Sequence, residues 1–282
     1  MVITKIFGGL GNQMFQYAVG KAVAIRKNDI LKLDIDNFKN DSFGRVYKLH
    51  NFYIKDEIAT NYEIKRLKGY DGIFRKVFNK LGLEIKRSSS YYNERNLMCF
   101  DEGVFCKYGD IYLDGFWQNE KYFKNIREEL LKIFIPKNIS DTAQKFLEQI
   151  QNGESVSIHI RRKDYLSLKH IYYICELDYY KKAIELMKSK VMNPKFFVFS
   201  DDIDWCKKNL GIQAIYIENT IDIDDLFLMK NCKHNIIANS TFSWWGAWLN
   251  ENENKMVIGP KQWFVKKEWK NLNLICERWI KI

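Results

Sequence analysis

Short hydrophobic runs alternate with amphipathic stretches along most of the chain, a pattern typical of strands followed by helices. In the second half, this pattern predicts strands over 155–158, 195–199, 214–217, 235–238 and 255–258, and helices over 178–189, 203–210, 222–231 and 244–250. Regular alternation of the two elements predicts a parallel sheet with helices on both faces.

The first half begins with the same alternation. It predicts a strand over 2–7, a glycine turn over 8–11, a helix over 12–25 and a strand over 30–34, which together resemble the opening of a Rossmann-like unit. Later elements are helices over 62–83, 120–133 and 142–151, and a strand and turn over 111–118. We place a domain boundary at 145/146, which gives domains 1–145 and 146–282.

The glycine turn matches a dinucleotide-binding fingerprint only in part. Gly9 and Gly11 fit the fingerprint, but Met14 occupies the position of its third glycine. Asp34 lies about where a ribose-binding acid would stand, so an NAD-binding oxidoreductase is one alternative. Asn12 and Gln13 are unusual at a helix start, and we expect their amides to face a polar cleft.

A polar run follows the strand at 155–158 and includes His159, Arg161, Arg162 and Asp164. The carboxyl ends of parallel strands are where open α/β sheets bind their ligands. Two adjacent arginines need an anionic partner, and the planar guanidinium matches a phosphate in two-point contact. The run therefore predicts a diphosphate site; the alternative is a pair of surface arginines that form ion pairs with Asp164 or neighbouring glutamates.

Two further strands of the second half end in polar residues, and all three carboxyl ends share one edge of a parallel sheet. The residues that follow these two strands are Ser200, Asp201 and Asp202, and Asn239, Ser240, Thr241 and Phe242. An aspartate accepts hydrogen bonds from N1–H and the exocyclic amine of guanine, and a hydroxyl at a helix start binds a phosphate oxygen. The alternative is that these side chains only cap helices.

Composition narrows the class of protein. The 282 residues carry a formal net charge of +10, which favours anionic ligands or surfaces, although scattered lysines argue against a nucleic-acid partner. The six cysteines show no CxxC spacing and no secretion signal precedes the first strand, so we expect free thiols and a cytoplasmic protein. Four histidines without ligand spacing make a His/Cys metal site improbable.

Four segments together resemble the α-1,2-fucosyltransferases of glycosyltransferase family 11. They are GGLGNQMFQYA at 8–18, HIRRKDY at 159–165, FSDD at 199–202 and NSTFSWWGA at 239–247. The resemblance implies a GT-B fold, with two Rossmann-like domains whose parallel sheets face each other across a cleft. It assigns the acceptor to 1–145 and GDP-fucose to 146–282. It also implies an inverting transfer of L-fucose from GDP-β-L-fucose to the 2-hydroxyl of a galactoside, without a metal or other cofactor.

The resemblance implies roles for individual residues. Arg161 would hold the β-phosphate, His159 the nucleoside, Asp201 or Asp202 the guanine, Ser240 and Thr241 the phosphates, and Asn12 would face the fucose and acceptor. The full set predicted to bind the donor is His159, Arg161, Arg162, Ser200, Asp201, Asp202, Asn239, Ser240, Thr241, Phe242, Gly11, Asn12 and Gln13.

The predicted catalytic residues are Arg161, Asp164 and Asn12. The arginines would stabilise the departing diphosphate in a single displacement. Asp164 is the candidate base, and its alternative role is to orient Arg161 or Arg162. Asp114, Glu120 and the departing phosphate are further candidates for the group that takes the proton.

Other classes stay open at the level of sequence. DxD triplets at 34–36, 202–204 and 222–224 would suit a metal-dependent GT-A glycosyltransferase. Basic charge and aromatic residues would suit a lectin or a nucleic-acid-binding protein. For the transferase, we expect as partners a galactose-terminated glycan that is lipid-linked or free, and anionic lipid at the inner membrane face.

Overall fold

The computed structural model describes residues 1–69, 88–272 and 274–282, which form two compact units, Met1–Phe134 and Ile135–Ile282. The predicted boundary at 145/146 falls inside a helix, Asp141–Gln151, which belongs wholly to the second unit. The apolar face of this helix packs into the core of that unit, against Leu228 and Met229 among others. The boundary therefore lies eleven residues earlier than the sequence analysis placed it.

The first unit contains a five-stranded parallel sheet with the order β3-β2-β1-β5-β4. Its strands are β1 (Val2–Lys5), β2 (Leu31–Asp34), β3 (Glu57–Ile58), β4 (Tyr91–Asn93) and β5 (Ile111–Asp114). Its described helices are α1 (Leu10–Lys27), α2 (Asn61–Lys68) and α3 (Arg127–Ile133), with 3₁₀ turns at Asp36–Asn40, Leu49–Asn51, Glu102–Cys106, Glu120–Tyr122 and Lys124–Ile126.

Two predicted helices of this unit differ from the structure. The helix predicted over 62–83 is α2, which ends at Lys68, and the rest of the prediction lies outside the described residues. The helix predicted over 120–133 is α-helical only in α3. The adjacent aromatic side chains of Tyr122 and Phe123 are both buried, and they pack against different partners, Trp117 and Phe15. This packing favours irregular turns over a continuous helix.

The second unit contains a six-stranded parallel sheet with the order β11-β10-β9-β6-β7-β8. Its strands are β6 (Glu154–Ile160), β7 (Pro194–Ser200), β8 (Ala214–Tyr216), β9 (His234–Ile236), β10 (Val257–Gly259) and β11 (Ile280–Lys281). Its helices are α4 (Asp141–Gln151), α5 (Lys163–Ser167), α6 (Leu177–Lys190), α7 (Ile203–Asn209), α8 (Asp222–Asn231) and α9 (Thr241–Leu249), with a 3₁₀ turn at Lys267–Trp269.

The core of the second unit lies on both faces of the β6–β7 pair. On one face, Ile158 of β6 and Val198 of β7 pack with residues of α6. On the other face, Phe197 and Phe199 of β7 pack with residues of α4 and α8. Successive residues of a strand point to opposite faces, so β7, which is covered by helices on both sides, is apolar over 196–199. This arrangement confirms the predicted parallel sheet with helices on both faces.

The register of β6 and β7 determines where the polar residues lie. The two strands pair in parallel over seven positions, ending with Ile160 opposite Ser200. The residues that follow, Arg161 and Asp201, therefore leave the sheet side by side. Among the described residues, no helix is long and apolar enough to cross a membrane.

Candidate functional site

The turn after β6 is held by a carboxylate from the turn after β7. Asp201 Oδ1 accepts the backbone N–H of Arg162 at 2.9 Å, and its Oδ2 accepts that of Lys163 at 3.2 Å. The two predicted loops thus meet at the carboxyl edge of the sheet, as the sequence indicated. Both oxygens of Asp201 contact the neighbouring turn, and its side chain is only 17% exposed, which leaves it little capacity to bind guanine.

Arg161 is held at one edge of its guanidinium. Its Nε and Nη2 donate to the two oxygens of Asp164 at 2.8 and 2.7 Å, and Nε lies 3.4 Å from Asp201 Oδ2. Of the five N–H groups of a guanidinium, these two bonds leave three, at Nη1 and Nη2, for a ligand. Although burial lowers it, the pKa of Arg161 is raised overall by the hydrogen bonds that Arg161 donates to Asp164 and by the charges of Asp201 and Asp164. A permanently charged fork of this kind fits a phosphate.

Asp164 uses both carboxylate oxygens on Arg161. The structure therefore shows the orienting role that the sequence analysis named as its alternative. The role of Asp164 as a catalytic base stays a prediction.

Arg162 points away from Arg161 and toward α7. Its guanidinium carbon lies 3.8 Å from the ring centre of Trp205, and its Nε lies 3.6 Å from Asp202 Oδ2. That distance exceeds hydrogen-bond length, and the buried Nε has no hydrogen-bond partner among the described residues. Cation–π stacking on Trp205 holds the side chain against α7, and the contact of Arg162 with a phosphate stays a prediction.

A pocket of about 410 Å³ opens beside the ends of β7 and β8. It is lined by Ser200, Asp201, Asp202, Asp204, Glu218, Thr220, Asp225 and neighbouring residues, with Lys163 at its edge. Asp202 is the freer of the two predicted guanine ligands, because its carboxylate contacts only the Arg162 side chain among the ion pairs of the described residues. The carboxylates suit a ligand that donates hydrogen bonds through N–H groups.

Asp225 is a pocket residue that the sequence analysis did not select. Asp225 is partly buried and accepts a 2.6 Å hydrogen bond from Thr220 Oγ1. Burial raises its pKa to about 6; the Thr220 hydrogen bond opposes this, and Asp222 and Asp224 add to it. The sequence could have pointed to Asp225, because this acid lies in the segment that follows β8, at the same edge of the sheet as the other loops.

His159 lies beneath the Arg161 turn. It is 4% exposed, its ring centre lies 5.6 Å from that of Phe242, and its Nδ1 has no hydrogen-bond partner among the described residues. Burial and the charge of Arg161 lower its pKa to about 3. His159 is therefore neutral at physiological pH, and its contact with a nucleoside stays a prediction.

The third loop forms the start of α9, three residues earlier than predicted. Ser240 is the N-cap, and its hydroxyl accepts the backbone N–H of Phe242 at 3.3 Å. The hydroxyl of Ser200 likewise accepts the N–H of Asp202 at 2.9 Å. The capping alternative therefore describes Ser240, while the contacts of Ser240 and Thr241 with phosphate stay predictions.

Asn239 has a structural role. Its side chain is buried, and its Nδ2 donates to the carbonyls of Tyr173 at 2.6 Å and Trp263 at 2.9 Å. Its Oδ1 accepts from the thiol of Cys175 at 3.5 Å. These contacts connect two loops of the second unit, and the contact of Asn239 with the donor stays a prediction.

In the first unit, the glycine turn leads directly into α1. Gly8 has a φ of +78°, which favours glycine, and Gly9 is the N-cap, so the helix starts two residues earlier than predicted. Asn12 is partly exposed, and its Oδ1 accepts from Gln118 Nε2 at 2.9 Å. Gly11 is buried in the first turn of the helix, and its contact with the donor stays a prediction.

The side chain of Gln13 points into the protein. Its side chain is fully buried, and Nε2 donates to the carbonyls of Gly8 and Val46, both at 2.9 Å. Its Oε1 accepts the N–H of Lys48 at 2.9 Å. This amide fastens a distant loop to the glycine turn, and the contact of Gln13 with the donor stays a prediction.

Acidic residues named in the alternatives are also engaged. Asp34 is buried, accepting from the hydroxyl of Tyr112 at 2.5 Å and from the N–H of Asp36 at 3.0 Å, so it is not free for a ribose. Asp224, of the third DxD triplet, is buried and accepts from the hydroxyl of Ser140 at 2.7 Å. These contacts stabilise the fold and remove the main support for an NAD site.

Comparisons with known proteins show the family of this chain. The model of a family described as Glycosyl transferase family 11 matches residues 74–282. An alpha-1,2-colitosyltransferase of Escherichia coli is 38% identical over 299 residues, covering 100% of this chain and 99% of the relative. The O-antigen biosynthesis glycosyltransferase WbnK of Escherichia coli is 32% identical over 306 residues, covering 98% of each.

A solved structure supports the fold. The crystal structure of NodZ alpha-1,6-fucosyltransferase soaked with GDP-fucose matches with a TM-score of 0.51 and 15% identity, over 88% of this chain and 91% of that one. The two parallel α/β sheets described above together with this likeness establish a GT-B fold, as predicted. The GT-A alternative is thereby set aside.

Proposed function

Because the chain belongs to glycosyl transferase family 11, we propose that it transfers L-fucose from GDP-β-L-fucose to the 2-hydroxyl of a terminal galactoside. The observation that carries this proposal is the fixed guanidinium of Arg161 beside the acidic pocket of the second unit. A cationic fork next to a pocket of hydrogen-bond acceptors is what a guanosine diphosphate requires.

The diphosphate is assigned to Arg161. Asp164 and Asp201 hold one edge of its guanidinium, so the charge is already oriented before the donor arrives. A preorganised charge stabilises the negative charge that develops on the departing diphosphate without reorganisation during the reaction. We propose that this clamp suffices without a metal ion, and that Ser240 and Thr241 at the start of α9 contribute further donors.

The guanine is assigned to the acidic pocket. N1–H and the exocyclic amine of guanine form a pair of donors, and a carboxylate accepts both. Asp202 and Asp225 are the two candidates, since Asp201 is engaged by backbone N–H groups. Adenine presents a different pattern on that edge, so the pocket would favour a guanosine donor.

The chemical step is a single displacement with inversion. The acceptor oxygen forms its bond to the anomeric carbon as the bond to the β-phosphate oxygen of GDP breaks, and the acceptor hydroxyl gives up its proton. Since both Asp164 oxygens bond Arg161, we propose that a departing phosphate oxygen receives that proton.

The relatives make a second donor worth testing. One of them is named for transfer of colitose in an alpha-1,2 linkage, and colitose is L-fucose without its 3-hydroxyl. A site built to bond the 3-hydroxyl of fucose would discriminate strongly against colitose, whereas an apolar site would not.

A transfer assay tests the proposal. The purified protein is incubated with a galactoside and either GDP-fucose or GDP-colitose, and the product is characterised by mass spectrometry and NMR. The proposal predicts an α-1,2-linked fucosyl product. Transfer of colitose alone would show that the donor is GDP-colitose and not GDP-fucose. Absence of both transfer and GDP release with either donor would contradict the proposed function.

The setting we propose is the assembly of a surface glycan such as O-antigen, on a lipid-linked acceptor at the cytoplasmic face of the inner membrane. The net charge of +10 would favour peripheral association with anionic lipid. Co-sedimentation with vesicles that contain anionic phospholipid should occur and should fall as salt rises. Binding that is independent of salt, or equal with neutral vesicles, would contradict this.

A further inference from the structure

A second pocket lies in the first unit, at the carboxyl end of β4, and the donor chemistry makes no use of it. Its volume is about 370 Å³, which is within the range of small-molecule sites. The residues that matter for its chemistry are Glu94, Arg95, Asn96, Phe100, Glu102 and Tyr122.

The lining combines polar groups with aromatic rings. The rings of Phe100 and Tyr122 lie 5.0 Å apart, and Phe100 is 38% exposed. The carboxylate of Glu102, the guanidinium of Arg95 and the amide of Asn96 are exposed around them. A sugar presents hydroxyls that both donate and accept, together with an apolar C–H face that packs on an aromatic ring. The acidic lining disfavours a phosphate.

Glu94 gives this pocket an unsatisfied acceptor. Its Oε2 accepts the N–H of Phe116 at 2.7 Å, whereas its buried Oε1 has no hydrogen-bond partner among the described residues. Burial raises the pKa of Glu94, and the backbone N–H groups of Phe116, Trp117 and Met98 lower that pKa less. Buried polar atoms are nearly always hydrogen-bonded, so the unpaired Oε1 is an unusual feature of this part of the first unit.

One short loop connects the pocket to the glycine turn. The loop after β5 is fastened to Glu94 through Phe116, and it passes so close that a Cβ on Gly115 would lie 2.4 Å from the Cβ of Glu94. At its other end, Gln118 donates to Asn12, the residue assigned to face the reacting sugars. The pocket and Asn12 therefore lie at the two ends of the same loop, within one unit.

We propose that this pocket binds the sugar that precedes the reacting galactose in the acceptor glycan. The assignment rests on the proposed function, and it adds a subsite in the first unit that selects the acceptor. A disaccharide acceptor fills the pocket, and a monosaccharide acceptor leaves it empty. The pocket residues then contribute to binding of the longer acceptor alone.

The experiment compares two kinds of acceptor. One is methyl β-D-galactoside, and the other is a panel of methyl glycosides of galactosyl disaccharides that differ in the second sugar. For the wild-type protein, kcat/KM should be at least about tenfold higher for the best disaccharide, the equivalent of about 1.4 kcal/mol. Phe100→Ala and Glu102→Gln should bring this ratio close to one by raising KM for the disaccharide. Their kcat/KM for methyl β-D-galactoside and their KM for the donor should not change.

Tyr108→Ala is the matched control, because Tyr108 is 97% exposed on the same segment and lies outside the pocket. Glu102 is exposed, so Glu102→Gln keeps the test valid if Phe100→Ala does not fold. A wild-type protein that treats all acceptors alike, or variants that keep the wild-type ratio, would overturn the inference. In either case, GDP binding measured by titration calorimetry would leave the proposed function standing. If the wild-type protein does not bind GDP, both the proposed function and the acceptor pocket are contradicted.

Discussion

Arg161 illustrates how one side chain acquires a function from its neighbours. Its sequence position placed it at the end of a strand, but its orientation comes from the bidentate contact with Asp164 and the nearby oxygen of Asp201. The same contacts explain why an ammonium would not replace it, since lysine has no planar fork.

Arg161→Lys therefore should lower kcat by about 10²–10³, which corresponds to several kcal/mol of transition-state stabilisation. The physical reason is the loss of two-point contact with the diphosphate at constant charge. Steady-state kinetics with GDP-fucose measure the decrease in kcat. Lys169→Ala serves as the control, because Lys169 is an exposed residue on the following loop. Near-normal turnover of Arg161→Lys would show that the fork has no role.

Asp164→Asn separates orientation from base catalysis. The amide keeps one acceptor but loses the bidentate contact, so we expect kcat to fall by about 10²-fold, the cost of a misplaced reacting group. The pH dependence of kcat/KM should keep its shape, because another group accepts the proton. If the acidic limb of that profile disappears in the variant, Asp164 is the base and the orienting role is insufficient.

Three residues show the limit of prediction at this scale. Gln13, Asn239 and Arg162 were chosen correctly as unusual polar residues at strand or helix ends, yet each side chain points into the protein. A side chain that bonds a ligand and one that bonds a distant loop have the same local sequence. For Gln13, the partners Val46 and Lys48 lie more than thirty positions away, so no local pattern could reveal them.

At the scale of elements, strands and helices of the second unit follow the periodic pattern closely. The exceptions are short elements, such as α5, whose five residues are too few to show a period and whose start is held by Asp201. In the first unit, β3 and β4 have two and three residues, and they form because β2 and β5 offer them edges to pair with. Such elements depend on the sheet more than on their own sequence.

Helix α8 carries a buried acid with a testable linkage to stability. The pKa of Asp225 is raised from 3.8 to about 6, so the fold favours its protonated form. This contribution is complete below pH 3.8 and is lost as the pH rises through 6. Relative to Asp225→Asn, the free energy of unfolding of the wild-type protein should fall by up to about 3 kcal/mol between pH 4 and pH 7.

Urea denaturation of both proteins across this pH range measures the difference. The comparison with asparagine removes the contributions of all other titrating groups. A difference in unfolding free energy that does not change with pH would contradict the burial of the Asp225 carboxyl.

For the whole molecule, the alternation of strands and helices predicted two parallel α/β domains, and the four motifs predicted the family. The boundary was misplaced because α4 was divided between the two domains, whereas its apolar face joins the core of the second unit. The acceptor pocket was not predictable, because residues 94–103 have no regular period and their one aromatic residue, Phe100, is of a type that is common in a core. Their arrangement depends on contacts with the loop after β5.

The central claim is that the second unit holds a guanosine diphosphate through Arg161. Calorimetric titration of the purified protein with GDP in the presence of EDTA tests it most directly, with ADP and NAD as controls. The account predicts a dissociation constant for GDP on the order of micromolar, weaker binding of both controls, and loss of GDP binding in Arg161→Ala. Absence of GDP binding, binding only with added metal, or equal binding by Arg161→Ala would contradict it.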